Sequence, residues 1–152
     1  MNVEIIQARV SHIPAIASRV RQEDEAELWD FACVTPAQAM YYGLNQARIV
    51  KTGFIDGEAV CMLGCNTVSA VSGVGRPWMV GTELLDKYAM AFLRRCRPVV
   101  AEMLSDYKRL ENYIDARNVK AIAWLRWLGF EMGEPEPMGI FKTSFIKFWR
   151  QS

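Results

Sequence analysis

The sequence is poor in the side chains that hold metal ions. Histidine occurs once among 152 residues, at His12, and the four cysteines are Cys33, Cys61, Cys65 and Cys96. Cys61 and Cys65 stand four apart in an apolar run with the character of a strand, so both side chains point to one face. That spacing differs from the Cys-x-x-Cys knuckle of a zinc site. We therefore predict no metal site, and thiols that stay free and buried in a reducing compartment.

Two further absences bear on partners and compartment. Charge of one sign is not in excess, since the formal net charge at pH 7 is +1, and a balanced chain gives no electrostatic reason to expect nucleic acid. No apolar run approaches the roughly 20 residues that cross a bilayer, and the first residues lack the pattern of a signal peptide. We expect a soluble protein made in a cytoplasm. No feature of the sequence indicates the oligomeric state.

The sequence does contain enough apolar material for one domain. Hydrophobic residues make up 51% of the chain. A chain of this length buries about 68–70% of the surface that it exposes when unfolded. We therefore predict a single domain over residues 1–152.

Predicted strands and helices alternate along the chain. The predicted strands are Val3–Ala8, Ala47–Phe54, Glu58–Cys65, Pro77–Val80, Leu110–Ile114 and Ile140–Trp149. Helices are predicted to begin after the capping residues Ser11, Thr35, Thr82 and Asn118. The third helix is long and should kink at Pro98. We interpret the charged run Arg21–Glu27 as a solvated loop or helix face, and residues 66–76 and 131–137 as loops. This order predicts an α+β domain with a mixed α/β sheet.

The most specific pattern lies in residues 112–131. Asn118 is a good helix N-cap, Gly129 can end the helix in a left-handed conformation, and Phe130 returns to the core. The helix has an apolar face at helical spacing, formed by Ala121, Ile122, Leu125 and Leu128. This pattern resembles the closing motif of the GNAT superfamily of acyl-CoA-dependent N-acetyltransferases. The resemblance implies a GNAT-like acyltransferase fold along nearly the whole chain.

The resemblance also implies where acetyl-CoA would bind, and the residues there depart from the superfamily. Its members carry Arg/Gln-x-x-Gly-x-Gly/Ala in the loop that opens the long helix, where backbone N–H groups meet the diphosphate. Counting back from Asn118 places that loop at residues 86–91, with Asp86, Ala89 and Ala91 at the motif positions. A carboxylate beside a diphosphate repels it. We therefore predict no acetyl-CoA binding tighter than about 1 mM.

If the cofactor did bind, the resemblance would assign its contacts to the same segment. Those residues are Thr82, Lys87, Tyr88, Ala89 and Ala91.

The catalytic positions that the resemblance implies are also weakly matched. Many members carry a tyrosine in the last helix that protonates the departing thiolate, and the matching residue here is Leu125. Glu83 falls near the end of the fourth predicted strand, where a general base could sit. An acidic residue in the first turn of a helix, favoured by the helix dipole, is the preferred explanation of Glu83. We predict no catalytic residues, with Glu83 and Asn118 as the candidates if the chain is an enzyme.

Several side chains are candidates for partner contacts, each beside a simpler structural interpretation. Basic residues on the long helix form either an anion contact or a solvated face. The tryptophans of the last helix and the aromatic residues of the tail are either contact anchors or core. The candidates are Arg94, Arg95, Arg97, Trp124, Trp127, Phe145, Phe148 and Trp149.

A second resemblance concerns residues 73–82, 107–118 and 124–130. These runs look like a group of bacteriophage proteins that includes the small internal virion protein of short-tailed phages. The resemblance implies a non-catalytic virion or assembly protein that contacts other phage proteins, located in the virion or in the host bacterial cytoplasm. The alternative is an active N-acetyltransferase that uses acetyl-CoA on a host or phage protein or a small amine.

Overall fold

One mixed sheet organises the protein. The computed structural model describes all 152 residues and contains a seven-stranded sheet in the order β1-β2-β3-β4-β5-β7-β6. Its strands are β1 Val3–Gln7, β2 Ile49–Ile55, β3 Glu58–Ser69, β4 Val74–Gly81, β5 Arg109–Asp115, β6 Glu131–Met138 and β7 Thr143–Gln151. The helices are α1 Ile13–Ala17, α2 Gln22–Ala32, α3 Pro36–Gln46, α4 Glu83–Lys87, α5 Ala89–Asp106 and α6 Val119–Trp127. The predicted mixed α/β class is confirmed.

Two apolar clusters form the core. The larger one has 19 buried residues, which include Phe92 and Met103 of α5 and Ala121 of α6. The smaller one has seven and joins α1 and α3 to the middle strands, through residues such as Ile16 and Met40. No helix is both long and apolar enough to cross a membrane.

The predicted hairpin turn and two of the four predicted helix caps are confirmed. β2 and β3 form an antiparallel hairpin whose turn residues are Asp56 and Gly57. Both turn residues have positive φ, 49° for Asp56 and 82° for Gly57. Such turns match the twist of a hairpin. Thr35 caps α3, since its side chain accepts from Gln38 N. Asn118 caps α6 in the same way, with its Oδ1 atom 3.3 Å from Ala121 N.

Two segments predicted as loops are strands. Residues 66–69 extend β3 and residues 74–76 begin β4, so the true turn is confined to 70–73. The segment 131–137, which contains Pro135 and Pro137, lies in β6. β6 forms the outer edge of the sheet, and proline is tolerated on an edge because the missing N–H is not needed for a second neighbour.

The long helix breaks at Tyr88 rather than at Pro98. Pro98 lies inside α5, whereas Tyr88 separates α4 from α5 with φ −120° and ψ 26°. The predicted caps at Ser11 and Thr82 are wrong as hydrogen-bonding caps. Ser11 lies within a 3-10 turn that precedes α1, and Thr82 is the N-cap residue of α4 without a side-chain hydrogen bond.

Leu125 tests the packing of α6 against the sheet. Its side chain is partly buried against the larger apolar cluster. We expect Leu125→Ala to lower the free energy of unfolding by about 2 kcal/mol, the low end of the range for buried leucines. Urea unfolding measures this change, with Arg126→Ala at an exposed position of the same helix as the control. Equal stability of the two variants would contradict the packing.

The C-terminal residues are core strand and not a detachable tail. β7 lies between β5 and β6, and its Phe145 and Phe148 side chains are buried. We expect removal of residues 145–152 to unfold the protein. The strand β6 would lose its only partner strand, and the core would lose two buried phenylalanines. Circular dichroism and a lost thermal transition measure this outcome. Removal of the exposed Ser152 alone is the control and should preserve the transition.

Candidate functional site

A cleft opens between β4 and β5, the two central parallel strands. They pair only at Val74 with Arg109 and at Gly75 with Leu110. Beyond these residues the strands separate, so the facing backbone groups of both strands have no neighbouring strand. Unpaired backbone groups inside a fold need other partners. The side chains that supply those partners define the candidate site.

Asn112 fixes the narrow end of the cleft. Its Nδ2 atom donates to the carbonyl oxygen of Pro77 in β4 at 2.8 Å. Its Oδ1 atom accepts from the N–H of Tyr113 at 2.8 Å. One side chain therefore bridges the strands just past the point where their backbone pairing ends.

Helix α2 covers the wide end of the cleft with two carboxylates. Asp24 Oδ2 accepts from Gly81 N at the end of β4, at 2.8 Å. Glu27 Oε1 accepts from Asp115 N at the end of β5, at 2.7 Å. Arg21 also contributes, because its backbone N–H donates to Gly81 O at 2.9 Å. The predicted solvated helix face holds for Gln22, Glu23, Glu25 and Ala26, which are exposed. It is wrong for Arg21 and Asp24, which are buried, since the separated strands need their hydrogen bonds.

Burial makes both α2 carboxylates unusually weak acids. It raises the pKa of Asp24 to about 6, although Arg21 and the hydrogen bond from Gly81 favour the charged form. Burial raises the pKa of Glu27 to about 8, against the hydrogen bond from Asp115 N and together with the charges of Asp24 and Asp115. A carboxyl group with a pKa near neutral pH can both accept and release a proton there.

The pKa of Asp115, the next carboxylate along the cleft, is lowered rather than raised. Burial disfavours its charged form, but hydrogen bonds from the Arg117 side chain and backbone outweigh this and lower the pKa. The Arg117 guanidinium donates through two nitrogens, at 3.0 and 2.7 Å. Asp115 thus stays ionised beside Glu27, whose proton affinity is high. This contrast between adjacent carboxyl groups is a common mark of acid–base sites.

The Arg21 guanidinium joins α2 to α4 and α6. Its side chain is 1% exposed and lies 3.1 Å from Glu23, 3.6 Å from Asp24 and 3.3 Å from Asp86. The carbon at its centre is 4.8 Å from the centre of the Trp124 ring. Asp86 is therefore paired with a cation inside the protein.

The residues assigned to cofactor binding by resemblance lie around the α4–α5 junction. Thr82 follows β4 and is fully buried, and its Oγ1 atom has no hydrogen-bond partner. Lys87 is exposed, with its Nζ atom 5.3 Å from the centre of the Tyr88 ring. Ala89 and Ala91 lie in the first turn of α5, which contains no acidic residue.

The two conditional catalytic residues lie in different surroundings. Glu83 is exposed and its carboxylate pairs with Arg19 at 3.0 Å, which is the arrangement of a surface helix residue. Asn118 is buried beside the end of β5, and its Nδ2 atom has no hydrogen-bond partner. The structure thus brings Asn118, but not Glu83, to the residues that line the wide end of the cleft.

Few of the candidate partner contacts are free surface. Phe145 and Phe148 are buried core residues. The Arg97 guanidinium covers the Trp127 ring at 3.8 Å, and the Trp149 Nε1 atom donates to Glu131. Arg94 and Arg95 are exposed, as a solvated helix face requires.

Sequence reasoning missed Arg21, Asp24, Glu27 and Asn112. A signal existed for the first three, because residues three apart lie on the same side of a helix. Arg21, Asp24 and Glu27 therefore form a stripe of charge on one face of α2. No comparable pattern marks Asn112, whose role depends on a strand that is 35 residues away in sequence.

Comparison with known proteins identifies the fold. No protein-family profile and no curated protein matches the chain. Among solved structures, it is similar to an acetyltransferase of the GNAT family from Streptococcus pneumoniae, with 14% identity, a TM-score of 0.68 and 99% of each chain covered. It is also similar to RimL, a ribosomal L7/L12 alpha-N-protein acetyltransferase in complex with coenzyme A, at 12% identity and a TM-score of 0.73, covering 99% of this chain and 94% of that chain.

A third similar structure is a ribosomal-protein-alanine N-acetyltransferase from Brucella melitensis. It has 17% identity and a TM-score of 0.71, with 98% of this chain and 99% of that chain covered. Likeness at such identities establishes architecture rather than activity. The chain therefore has the GNAT acetyltransferase fold along its whole length.

Proposed function

We propose that this protein is a GNAT-type N-acyltransferase, which moves an acyl group from acyl-CoA to an amine in the cleft between β4 and β5. The observation that carries the proposal is Glu27. Its carboxyl group lies at the wide end of the cleft, hydrogen-bonded to the end of β5, and its pKa is raised to about 8. The architecture shared with acetyltransferases supports the same assignment.

The residues around the cleft fit the amide-containing arm of acetyl-CoA. Such an arm needs hydrogen-bond donors and acceptors along its path. The ends of the two strands carry buried polar atoms without partners, Thr82 Oγ1 and Asn118 Nδ2. Buried unpaired polar atoms are costly and are expected to gain partners from a ligand. Thr82 and Asn118 are therefore the residues that would hold this arm.

The start of α5 fits the diphosphate. A helix N-terminus attracts anions through free N–H groups and its dipole. In α5 these groups belong to a first turn with small side chains, Ala89 and Ala91, and no acidic residue. Lys87 precedes it as an exposed cation. The expectation of binding weaker than about 1 mM rested on Asp86, Ala89 and Ala91 in place of the motif residues, and titration with CoA tests it. The contact with Arg21 offsets part of the Asp86 charge.

The chain's own residues supply the proton chemistry. When bound, acetyl-CoA would supply an acyl group activated as a thioester. Glu27 in its carboxylate form accepts a proton from the ammonium group of the acceptor, which leaves the amine nucleophilic. Asp115 and Asp24 add negative charge next to Glu27 and favour a cationic acceptor over an anionic one. Leu125 cannot donate a proton, so the chain lacks the tyrosine that many GNAT enzymes carry in this helix.

A second candidate function is a non-catalytic phage assembly protein on the same scaffold. It rests on the resemblance of residues 73–82, 107–118 and 124–130 to bacteriophage proteins and on Leu125 at the position of the tyrosine that many GNAT enzymes carry. None of the similar structures described above comes from a bacteriophage particle. The virion association, the phage protein partners and the location in a virion or a host cytoplasm therefore remain predictions. Purification of the particles that this chain would belong to, followed by mass spectrometry, tests them.

The enzyme proposal predicts a specific loss in Glu27→Gln. Removal of a general base lowers the rate by about 100- to 10,000-fold, so kcat/KM should fall by that factor while CoA affinity persists. Thiol release from acetyl-CoA with a panel of polyamines and basic peptides measures the rate, and calorimetry measures CoA binding. The wild-type rate should rise with pH up to about 8, following the Glu27 pKa.

Glu25→Gln is the matched control for this prediction. It makes the same chemical change two residues away on the exposed side of α2 and should keep the wild-type rate. An active Glu27→Gln enzyme would refute the role of Glu27. No CoA binding by the wild-type protein at millimolar concentration would refute the acyltransferase assignment itself.

The raised carboxyl pKa values also predict how stability depends on pH. In the unfolded chain both carboxyl groups return to pKa values near 4, so the folded protein binds more protons above that pH. Its stability should therefore fall as pH rises, up to about 6 for Asp24 and about 8 for Glu27. The slope is at most about 1.4 kcal/mol per pH unit for each group.

Urea unfolding at pH 5 and pH 8 measures this dependence. The Glu27→Gln variant should lose less stability between the two pH values than the wild type, because its amide does not ionise. Glu25→Gln should follow the wild type. Parallel pH profiles for wild type and Glu27→Gln would contradict the raised pKa of Glu27.

A further inference from the structure

The ion pair between Arg21 and Asp86, beside the candidate site, lacks the hydrogen-bond geometry of a strong structural contact. Arg21 Nε and Asp86 Oδ1 lie 3.3 Å apart, yet neither atom has a hydrogen-bond partner although both are buried. The charges therefore meet without the aligned N–H···O geometry that strengthens an arginine–carboxylate contact. Buried ionic groups that lack hydrogen bonds recover little of their desolvation cost.

The charges in this cluster are also unbalanced. Three carboxylates, Glu23, Asp24 and Asp86, surround the Arg21 guanidinium, and Lys120 of α6 adds a second cation 3.5 Å from Asp86. Three acidic groups thus face two basic groups. Arg21 would keep Glu23 and Asp24 as partners if Asp86 moved away. Asp86 is therefore the surplus anion, and it is the only one of the three that is not on α2.

The position of Asp86 matches that of a ligand anion. It lies near the end of α4, two residues before the break at Tyr88 and close to the first turn of α5. Its two oxygens contact two cations from different segments, Arg21 at the N-cap of α2 and Lys120 in α6. A phosphate group binds to arginine and lysine in the same way and offers more oxygens for hydrogen bonds.

We infer that the Asp86 carboxylate occupies the place of a ligand phosphate between Arg21 and Lys120, and that a diphosphate-bearing acyl donor binds by displacing it. This inference rests on the proposed acyltransferase function for the identity of the donor. Arg21 and Lys120 then become the anion ligands of the site. Asp86 lowers the affinity of the protein for its donor, because the two anions compete for the same cations.

Asp86→Asn tests the inference with probes that differ only in the diphosphate-bearing part. Calorimetry with CoA should show at least a tenfold lower Kd than for the wild type, and the gain should shrink with added salt because it is electrostatic. Pantetheine, which lacks the diphosphate, should bind equally to both proteins. Glu83→Gln is the matched control, since it removes one carboxylate from the same helix at an exposed site. It should leave the CoA affinity unchanged.

Unchanged or weaker CoA binding by a folded Asp86→Asn variant would overturn the inference. An equal gain in CoA affinity in Glu83→Gln would also overturn it, because the gain would then come from the change in net charge alone. If Asp86→Asn does not fold, Lys120→Gln replaces it, because the Lys120 side chain is 62% exposed. That variant should weaken CoA binding several-fold without affecting pantetheine, and unchanged CoA binding would overturn the inference.

The results separate this inference from the proposed function. A wild-type protein that neither binds CoA nor transfers an acyl group, beside an Asp86→Asn variant that binds CoA, would refute the enzyme and support the displaced carboxylate. A wild-type protein that transfers acyl groups, with no gain in Asp86→Asn, would support the enzyme and refute the role of Asp86.

Discussion

The separation of β4 from β5 is the constraint on which the rest of the structure depends. Two parallel strands that pair at only two positions leave backbone N–H and C=O groups facing each other across a gap. Such groups need hydrogen-bond partners, and no strand can supply them without closing the cleft. Asn112 supplies partners at the narrow end, and Asp24 and Glu27 supply them at the wide end. The cleft is therefore maintained by side chains.

This solution has an electrostatic consequence. Carboxylates are strong acceptors for backbone N–H groups, but placing them inside the fold removes them from water. The pKa of Glu27 rises for that reason, and a group recruited to complete a strand edge becomes a group that exchanges protons near neutral pH. Arg21 compensates part of the buried negative charge and in turn draws Asp86 toward the cleft. Arg21, Asp24 and Glu27 thus complete the hydrogen bonding of the strand ends and also provide the titratable groups of the cleft.

The fold of this protein does not by itself determine its activity. The GNAT architecture is shared with enzymes at identities of 12–17%, where fold alone carries no activity. The residues that decide function here are those that line the cleft. Among them, Glu27 is the proposed general base, while Arg21 and Asp86 link the helices around the same opening. On the proposed function, donor binding would depend on how easily one internal ion pair exchanges for an external anion.

The sequence alone determined the features that depend on neighbouring residues. The Asp56-Gly57 hairpin, the Asn118 cap and the alternation of elements follow from local turn, cap and periodicity rules, and they predict a mixed α/β sheet. The GNAT-like fold was implied by the resemblance of residues 112–131 to the superfamily's closing motif. Tertiary structure decided the rest: the burial of Arg21 and Asp24, the edge strand that accommodates Pro135 and Pro137, and the pairing of Asp86. These outcomes depend on which backbone groups lie unpaired in space. The sequence of a charged run is typical of a solvated segment. The open edges of β4 and β5 make the burial of Arg21 and Asp24 favourable, because these residues supply hydrogen bonds to the strand ends.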